Sequence, residues 1–119
     1  MSTPLEQIGA AERVLDGTVV LPVPVALRAA ALLARAALED LVTTRCVLRN
    51  GKPTKMRSQL IVLRRLAGSP FADRAEHAWS ALSRLCHHHA YRLDPDRAEV
   101  AGWVVEVRAL AEEAVPSPP

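Results

Sequence analysis

Residues 69–89 read SPFADRAEHAWSALSRLCHHH, and this stretch decides the predicted fold. Ser69 and Pro70 form a typical helix start, in which an N-cap residue precedes a proline at the first helical position. The residues of one face then recur at helical spacing for five turns: Phe71, Ala75, Ala78, Trp79, Leu82, Leu85, Cys86 and His89. The pattern predicts one amphipathic helix that continues through His89.

Two helices are expected near the start of the chain. Residues 3–6, with the sequence TPLE, form a capping-box start, and the first helix should end near Gly17. Residues 18–24 contain β-branched side chains and two prolines, which favour an extended connection. Residues 24–49 are rich in Ala and Leu with only a narrow polar stripe, so we expect them to form the central, largely buried helix.

Two further helices complete the expected fold. Thr54 can cap a third helix, and Gly68 should end it. A fifth helix should open at Asp94 and Pro95 and bury one apolar face, and the prolines of residues 115–119 cannot continue it. The sequence therefore predicts an all-α fold, an antiparallel bundle of four main helices plus a short N-terminal helix.

Length and composition suit one small domain. The chain has 119 residues, half of them hydrophobic, so we expect a single domain over residues 1–119 with frayed ends at 1–3 and 115–119. No apolar run approaches the ~18 residues that a membrane span needs. No signal-peptide pattern opens the chain, and a cytoplasmic location is expected. Cys46 and Cys86 should then be free thiols.

Positive charge is concentrated in the middle of the chain. Residues 41–72 contain seven basic and no acidic residues, although the net charge of the whole chain is only +2. The seven are Arg45, Arg49, Lys52, Lys55, Arg57, Arg64 and Arg65. Several of them could converge at one end of the bundle and bind RNA phosphates. The alternative is a solvated face that keeps the protein soluble or meets an acidic partner.

The residues with the chemistry of a catalytic site follow in the predicted fourth helix. Arg84 and His89 are separated by four residues, and Tyr91 comes two residues after His89. An imidazole can transfer a proton near neutral pH, and a guanidinium can stabilise a charged phosphorane. Together they suit metal-independent RNA cleavage, in which the ribose 2′-hydroxyl attacks its own phosphorus. The alternative is a structural role, with His89 in the core and Arg84 on the solvent face beside His77 and Ser80.

Helical geometry opposes a direct pairing of Arg84 with His89. On an ideal helix an offset of five residues places them roughly 140° apart. A local kink, long side chains or a symmetric dimer could bring them to one cleft. His88 lies four residues after Arg84, directly above it on a helix, and is the substitute candidate.

Arg84, His89 and Tyr91 reproduce an R-x4-H-x-Y pattern, and in this the chain resembles the HepT-like toxins of the HEPN superfamily. The predicted helical bundle, with the motif on a late helix, is also similar. The resemblance implies a dimeric ribonuclease without metal or other cofactor, acting as a toxin or an antiphage factor, with Arg84 and His89 in a cleft between subunits. It further implies that Tyr91 is the position at which a nucleotidyltransferase antitoxin attaches AMP.

The sequence departs from the family pattern directly after the arginine. Members of the family commonly have a polar residue there, and this chain has Leu85. A HEPN-like bundle without a competent site can still serve as a noncatalytic dimerisation or protein-interaction module, which is the alternative function.

Two other chemistries use the same segment. Cys86 and the histidines 87–89 could contribute to a metal site, but adjacent helical residues diverge by about 100°, so at most two could bind one ion. Cys86 could also act as a nucleophile with a histidine, although nothing in the sequence marks an oxyanion hole. Trp79 and Trp103 are expected to be core anchors.

Overall fold

The computed structural model describes residues 3–50, 55–87 and 96–114. In chain order the helices are α1 (Pro4–Leu15), α2 (Val23–Asn50), α3 (Met56–Ala67), α4 (Ser69–Cys86) and α5 (Arg97–Ala114). The described residues contain these helices and no strand, so the prediction of an all-α bundle is confirmed. The long helix α2 lies at the centre, where it contacts the four others.

One hydrophobic core joins all five helices, and many of the residues that α2 and α4 contribute to it are alanines. Larger side chains fill the remaining core, and Ile8, Leu38, Leu63, Leu82 and Leu110 are fully buried. Completely buried alanines lie on both of the central helices: Ala30, Ala31, Ala34 and Ala37 on α2, and Ala72, Ala75 and Ala78 on α4. Because these side chains are small, the two helix backbones can approach closely.

The start of α1 and the ends of α1 and α3 agree with the sequence. The Thr3 hydroxyl accepts a hydrogen bond of 3.1 Å from the Glu6 backbone N–H, as a capping box requires. Gly17 and Gly68 follow the two helices with φ of 86° and 89°, a left-handed region in which a Cβ would be strained. Glycine therefore ends both helices by conformation.

Four helix starts differ from the predictions. Helix α3 begins at Met56, and its N-cap is Lys55, not the predicted Thr54. Helix α2 begins at Val23, one residue before the predicted Pro24, because proline is accepted in the first turn. The N-cap of α4 is Gly68, and Ser69 is already inside the helix without a capping hydrogen bond. Helix α5 begins at Arg97, and the Asp96 carboxylate accepts a 3.1 Å bond from the Glu99 N–H. The predicted start residues Thr54 and Asp94-Pro95 lie outside the described residues.

Helix α4 is shorter than its apolar pattern predicts. The helix ends at Cys86, and the backbone of His87 is extended, with φ of −73° and ψ of 123°. The prediction of a helix continuing through His89 is wrong. The sequence contains no glycine or proline stop at this point, and a histidine run supplies little apolar surface to hold another helical turn against the core.

Arginines connect the helices at their surfaces. Arg74 of α4 binds two carboxylates of α5, Glu106 at 2.6 Å and Glu113 at 2.8 Å. Arg108 of α5 forms a two-pronged ion pair with Glu12 of α1, including a contact of 2.7 Å. These carboxylates raise the pKa of both guanidiniums, chiefly through hydrogen bonds. The ion pairs fix how α5 lies against α4 and α1.

The outer face of α2 and the connection before it expose apolar side chains. Val20 is 88% exposed, and Val23, Val25 and Leu32 are each at least half exposed. The prediction that only a narrow polar stripe of α2 would face solvent is therefore wrong. Of the described helices, none combines the length and the apolar character that crossing a membrane requires.

Candidate functional site

Arg84 lies in the last turn of α4 and is exposed. It makes no ion pair or hydrogen bond with another described residue, whereas Arg74, on the same helix, is bound by two glutamates. Exposed His77 lies seven residues earlier on the same face, as the sequence predicts. Arg84 is thus a cation at a helix end that makes no polar contact with the described part of the fold.

The partners predicted for Arg84 lie beyond the end of α4. His88, His89 and Tyr91 are outside the described residues. The two geometric arguments that assumed a continuous helix, however, no longer apply. Because α4 stops at Cys86, Arg84 and His89 do not belong to one helix, and neither the 140° separation nor the stacking of His88 over Arg84 is imposed.

The predicted basic block is divided among several environments. The Arg45 guanidinium lies 5.8 Å from the centre of the Phe71 ring, a cation–π distance. Arg64 binds Asp73 at 2.7 Å and Glu76 at 3.4 Å. Lys55, Arg57 and Arg65 are exposed and have no ion-pair partner among the described residues. The side chain of Arg49 and all of Lys52 lie outside the described residues.

A groove separates α3 from α4 on the side of Arg84. Its volume is about 260 Å³, and its lining consists of Arg57, Leu60, Ile61, Arg64, Glu76, Trp79 and Ser80. Arg64 is shared between Glu76 at 3.4 Å and Asp73, which is outside the lining, at 2.7 Å. Arg57 is a lining cation without an ion-pair partner among the described residues. Ser80 is four residues before Arg84, so Arg84 follows the groove one helical turn further along the same face of α4.

Polar contacts behind the groove hold Trp79 against α2. Its indole Nε1 donates a 3.1 Å hydrogen bond to Glu39, which also pairs with Arg35 at 3.3 Å. Arg35 in turn interacts with the Cys86 thiol at the end of α4. Burial raises the pKa of the Cys86 thiol, and Arg35 only partly opposes this effect. A raised pKa disfavours the thiolate that a Cys–His nucleophile needs.

The second cysteine belongs to a buried polar contact between α2 and α3. The Cys46 thiol donates a 3.3 Å hydrogen bond to the carbonyl of Gln59, and burial raises its pKa. Thr43 donates a 2.8 Å hydrogen bond to the side-chain oxygen of Gln59, which is only 4% exposed. Cys46 and Cys86 are both free, as predicted.

Sequence reasoning missed the groove and the buried glutamine. The apolar stripe of α3 was expected to contain Met56, Leu60, Leu63 and Ala67. Ile61 lies off that stripe and is 66% exposed, and an apolar residue on a polar face was the available signal for a groove. Trp79 and Trp103 pack against the core as predicted, and the lining role of Trp79 is additional.

Comparison with protein-family models, curated proteins and solved structures finds no match. Functional reasoning therefore depends on the residues of this chain. Within residues 3–50, 55–87 and 96–114, no three His, Cys, Asp or Glu side chains form a group that could hold a metal ion. His88 and His89, which the metal alternative also uses, lie outside these ranges.

Proposed function

We propose that this chain is a metal-independent endoribonuclease of the HEPN type, in which Arg84 and His89 carry the chemistry. The observation that supports this most strongly is the state of Arg84, which is exposed, at the end of a helix and without an ion-pair partner among the described residues. Of the two arginines on α4, Arg74 serves the fold and Arg84 is available to a phosphate.

The reaction uses the nucleophile that RNA itself contains. The ribose 2′-hydroxyl attacks the adjacent phosphorus, the bond to the 5′-oxygen breaks, and a 2′,3′-cyclic phosphate is left. His89 takes or supplies a proton, and Arg84 stabilises the negative charge that accumulates on the phosphorane. His88 is the substitute for His89. The end of α4 at Cys86 supports this arrangement, because it removes the helical constraint that would separate the two side chains.

The biological setting is part of the same proposal. The protein acts as a cytoplasmic homodimer, either as the toxin of a toxin–antitoxin pair or as an antiphage factor. A cognate nucleotidyltransferase would silence it by attaching AMP to Tyr91. The test is to express the chain with candidate nucleotidyltransferases and to measure a mass increase that Tyr91→Phe abolishes.

Cleavage of cellular RNA by purified variants tests the catalytic assignment. His89→Ala should lower the rate by about 10²–10⁴-fold and Arg84→Gln by about 10²–10³-fold, without a requirement for added metal. His77→Ala is the matched control, because His77 is exposed on the same face of α4 as Arg84. Cleavage that is equal in wild type and His89→Ala, or absent from both while the protein is folded, would exclude catalysis at this motif.

A second candidate function is a noncatalytic dimerisation or protein-interaction module. The exposed apolar side chains of Val20, Val23, Val25 and Leu32 favour it, because contiguous apolar surface is often an interaction site. Analytical ultracentrifugation of Leu32→Ser, with Val105→Ser as a control exposed elsewhere, tests this function. A change of assembly only in Leu32→Ser, together with no RNA cleavage by wild type, would favour the module over the nuclease.

A further inference from the structure

We infer that the groove between α3 and α4 binds one nucleotide of a single-stranded RNA, next to the phosphate at Arg84. This inference rests on the proposed ribonuclease function. It identifies the surface that the RNA strand would contact next to the reacting phosphate. The groove lies one helical turn, a rise of about 5.4 Å, from Arg84 along α4. An extended strand can therefore contact Arg84 and the groove with neighbouring residues.

The lining of the groove offers polar contacts for the phosphate and ribose of a nucleotide and apolar contacts for its base. Arg57, which has no ion-pair partner in the part of the chain that the structure describes, offers its guanidinium to a phosphate. The Ser80 hydroxyl can exchange hydrogen bonds with a ribose or a base edge. The side chains of Leu60, Ile61 and Trp79 form an apolar wall. Sequence-independent binding of single strands uses this combination of cationic and aromatic surface.

The environment of Trp79 favours contact through the face of its ring. The indole N–H is already bonded to Glu39 and does not need a ligand as acceptor. The bond also fixes the plane of the ring, so little conformational freedom is lost when a base packs on it. The exposed Ile61 lies on the opposite helix and would cover the other side of the base.

The size and charge of the groove limit what it accepts. About 260 Å³ is slightly below the ~300–1,000 Å³ of typical small-molecule sites, which suits one unit of a polymer. The lining contains two arginines and one glutamate, and the second carboxylate that binds Arg64, that of Asp73, lies outside the lining. The positive charges that face a ligand are therefore those of Arg57 and, at the end of the groove, Arg84. An acidic peptide is the competing occupant, and the experiment below includes it.

Binding of a labelled 2′-O-methyl oligouridylate, measured by fluorescence anisotropy, tests the inference separately from catalysis. The methyl group blocks the attacking hydroxyl, so the RNA stays intact. Arg57→Gln should weaken binding about three- to tenfold. It should also reduce the slope of the logarithm of the association constant against the logarithm of the salt concentration by about 0.7, the value for one phosphate contact on a single strand. Arg13→Gln, an exposed arginine of α1 that neither belongs to the basic block nor lines the groove, should change binding less than about twofold.

A second pair of variants tests the apolar wall. Ile61→Glu places a negative charge in the groove and should weaken binding at least about tenfold. Val105→Glu is the matched control, because Val105 is 68% exposed and Ile61 66%. In a Trp103→Phe background, saturating RNA should quench the fluorescence of Trp79. Circular dichroism and Tm of each variant check that the fold is unchanged.

The outcomes separate this inference from the proposed function. If Arg57→Gln binds RNA as Arg13→Gln does, and Ile61→Glu as Val105→Glu does, the groove is not an RNA site. Cleavage that needs Arg84 and His89 would still establish the nuclease. If no cleavage occurs but binding depends on Arg57 and Ile61, the groove is an RNA site and the nuclease proposal fails. Binding of a polyglutamate peptide without binding of the oligouridylate overturns the inference.

Discussion

Trp79 and Glu39 are 40 positions apart in the chain and are joined by a 3.1 Å hydrogen bond from the indole N–H to the carboxylate. The contact connects the middle of α4 to the middle of α2, two helices that both bury several alanines. Alanine packing brings helices together but provides few interlocking shapes that define one register. The hydrogen bond supplies a specific contact at this interface.

Removal of the Glu39 carboxylate should therefore destabilise the bundle. Glu39→Ala leaves a partly buried N–H without its acceptor and should lower the free energy of unfolding by about 1 kcal/mol. Glu39→Gln retains an acceptor oxygen and should recover most of that loss. Urea unfolding measures the free energy of unfolding of these variants. Glu112→Ala is the control, because the Glu112 side chain is 60% exposed and lies 3.8 Å from Arg108. Equal stability of Glu39→Ala and Glu39→Gln would contradict the assigned role.

Because Thr43 bonds to the buried Gln59, we expect substitutions of Thr43 and of its neighbour Thr44 to change stability by different amounts. Thr43 donates to Gln59, and Thr44 is exposed. Thr43→Val keeps the side-chain shape but removes the donor, and should cost about 1 kcal/mol of stability. Thr44→Val should change stability by less than about 0.5 kcal/mol. Thermal unfolding of the two variants, monitored by circular dichroism, measures the difference, and indistinguishable Tm values would show that the hydrogen bond contributes nothing.

Arg74 should stabilise the bundle through its two ion pairs with α5. Arg74→Met removes the charge but keeps an unbranched side chain, and should lower stability by about 1 kcal/mol at low salt, because two carboxylates share the guanidinium. The loss should become smaller in about 1 M salt, which shortens the screening length to about 3 Å. Arg65→Met is the control without an ion pair. A loss that is independent of salt would indicate that packing of the side chain is responsible.

The raised pKa values of the two cysteine thiols lead us to expect a loss of stability in alkaline solution. Burial raises the pKa of Cys46 and Cys86 above the ordinary value of 9.0. The folded protein therefore holds these protons more tightly than the unfolded chain does. Their contribution to stability is complete below about pH 9 and is lost as the pH rises through the folded-state pKa values.

Urea unfolding under reducing conditions, at neutral pH and above pH 9, checks this sign. Cys86→Ala should lose less stability than wild type over the same interval, because one of the shifted groups is gone. Alkylation by iodoacetamide should also be slower in the folded protein than in urea at every pH below the shifted values. A Cys86 that reacts as quickly in the folded as in the unfolded protein would contradict the prediction.

Local chemistry made the helix order predictable. Thr3 with Glu6 caps α1, and Gly68 ends α3, because side-chain caps and left-handed glycines act within a few residues of the chain. The apolar face of α5 is buried at Val100, Val104 and Val107, as its spacing indicates. These features need no knowledge of distant segments.

The groove depends on distant segments and was not predictable in the same way. Arg57 and Ser80 line one groove only because α3 and α4 pack side by side, and Trp79 is held there by a residue of a third helix. The surroundings of Arg64 also depend on packing: the sequence predicts it as an RNA-binding cation, and in the fold it forms ion pairs with Asp73 and Glu76. A charge count along the sequence cannot separate a neutralised arginine from an available one.

The extended backbone at His87 changes what an insertion or deletion would do to the proposed site. Within a helix, one added residue would rotate everything after it by about 100° and move it to another face. Because α4 ends at Cys86 and the backbone of His87 is extended, helical periodicity does not fix the position of His89 relative to Arg84. Evolution could therefore lengthen or shorten this segment by a residue while the alanine-packed helices keep their register.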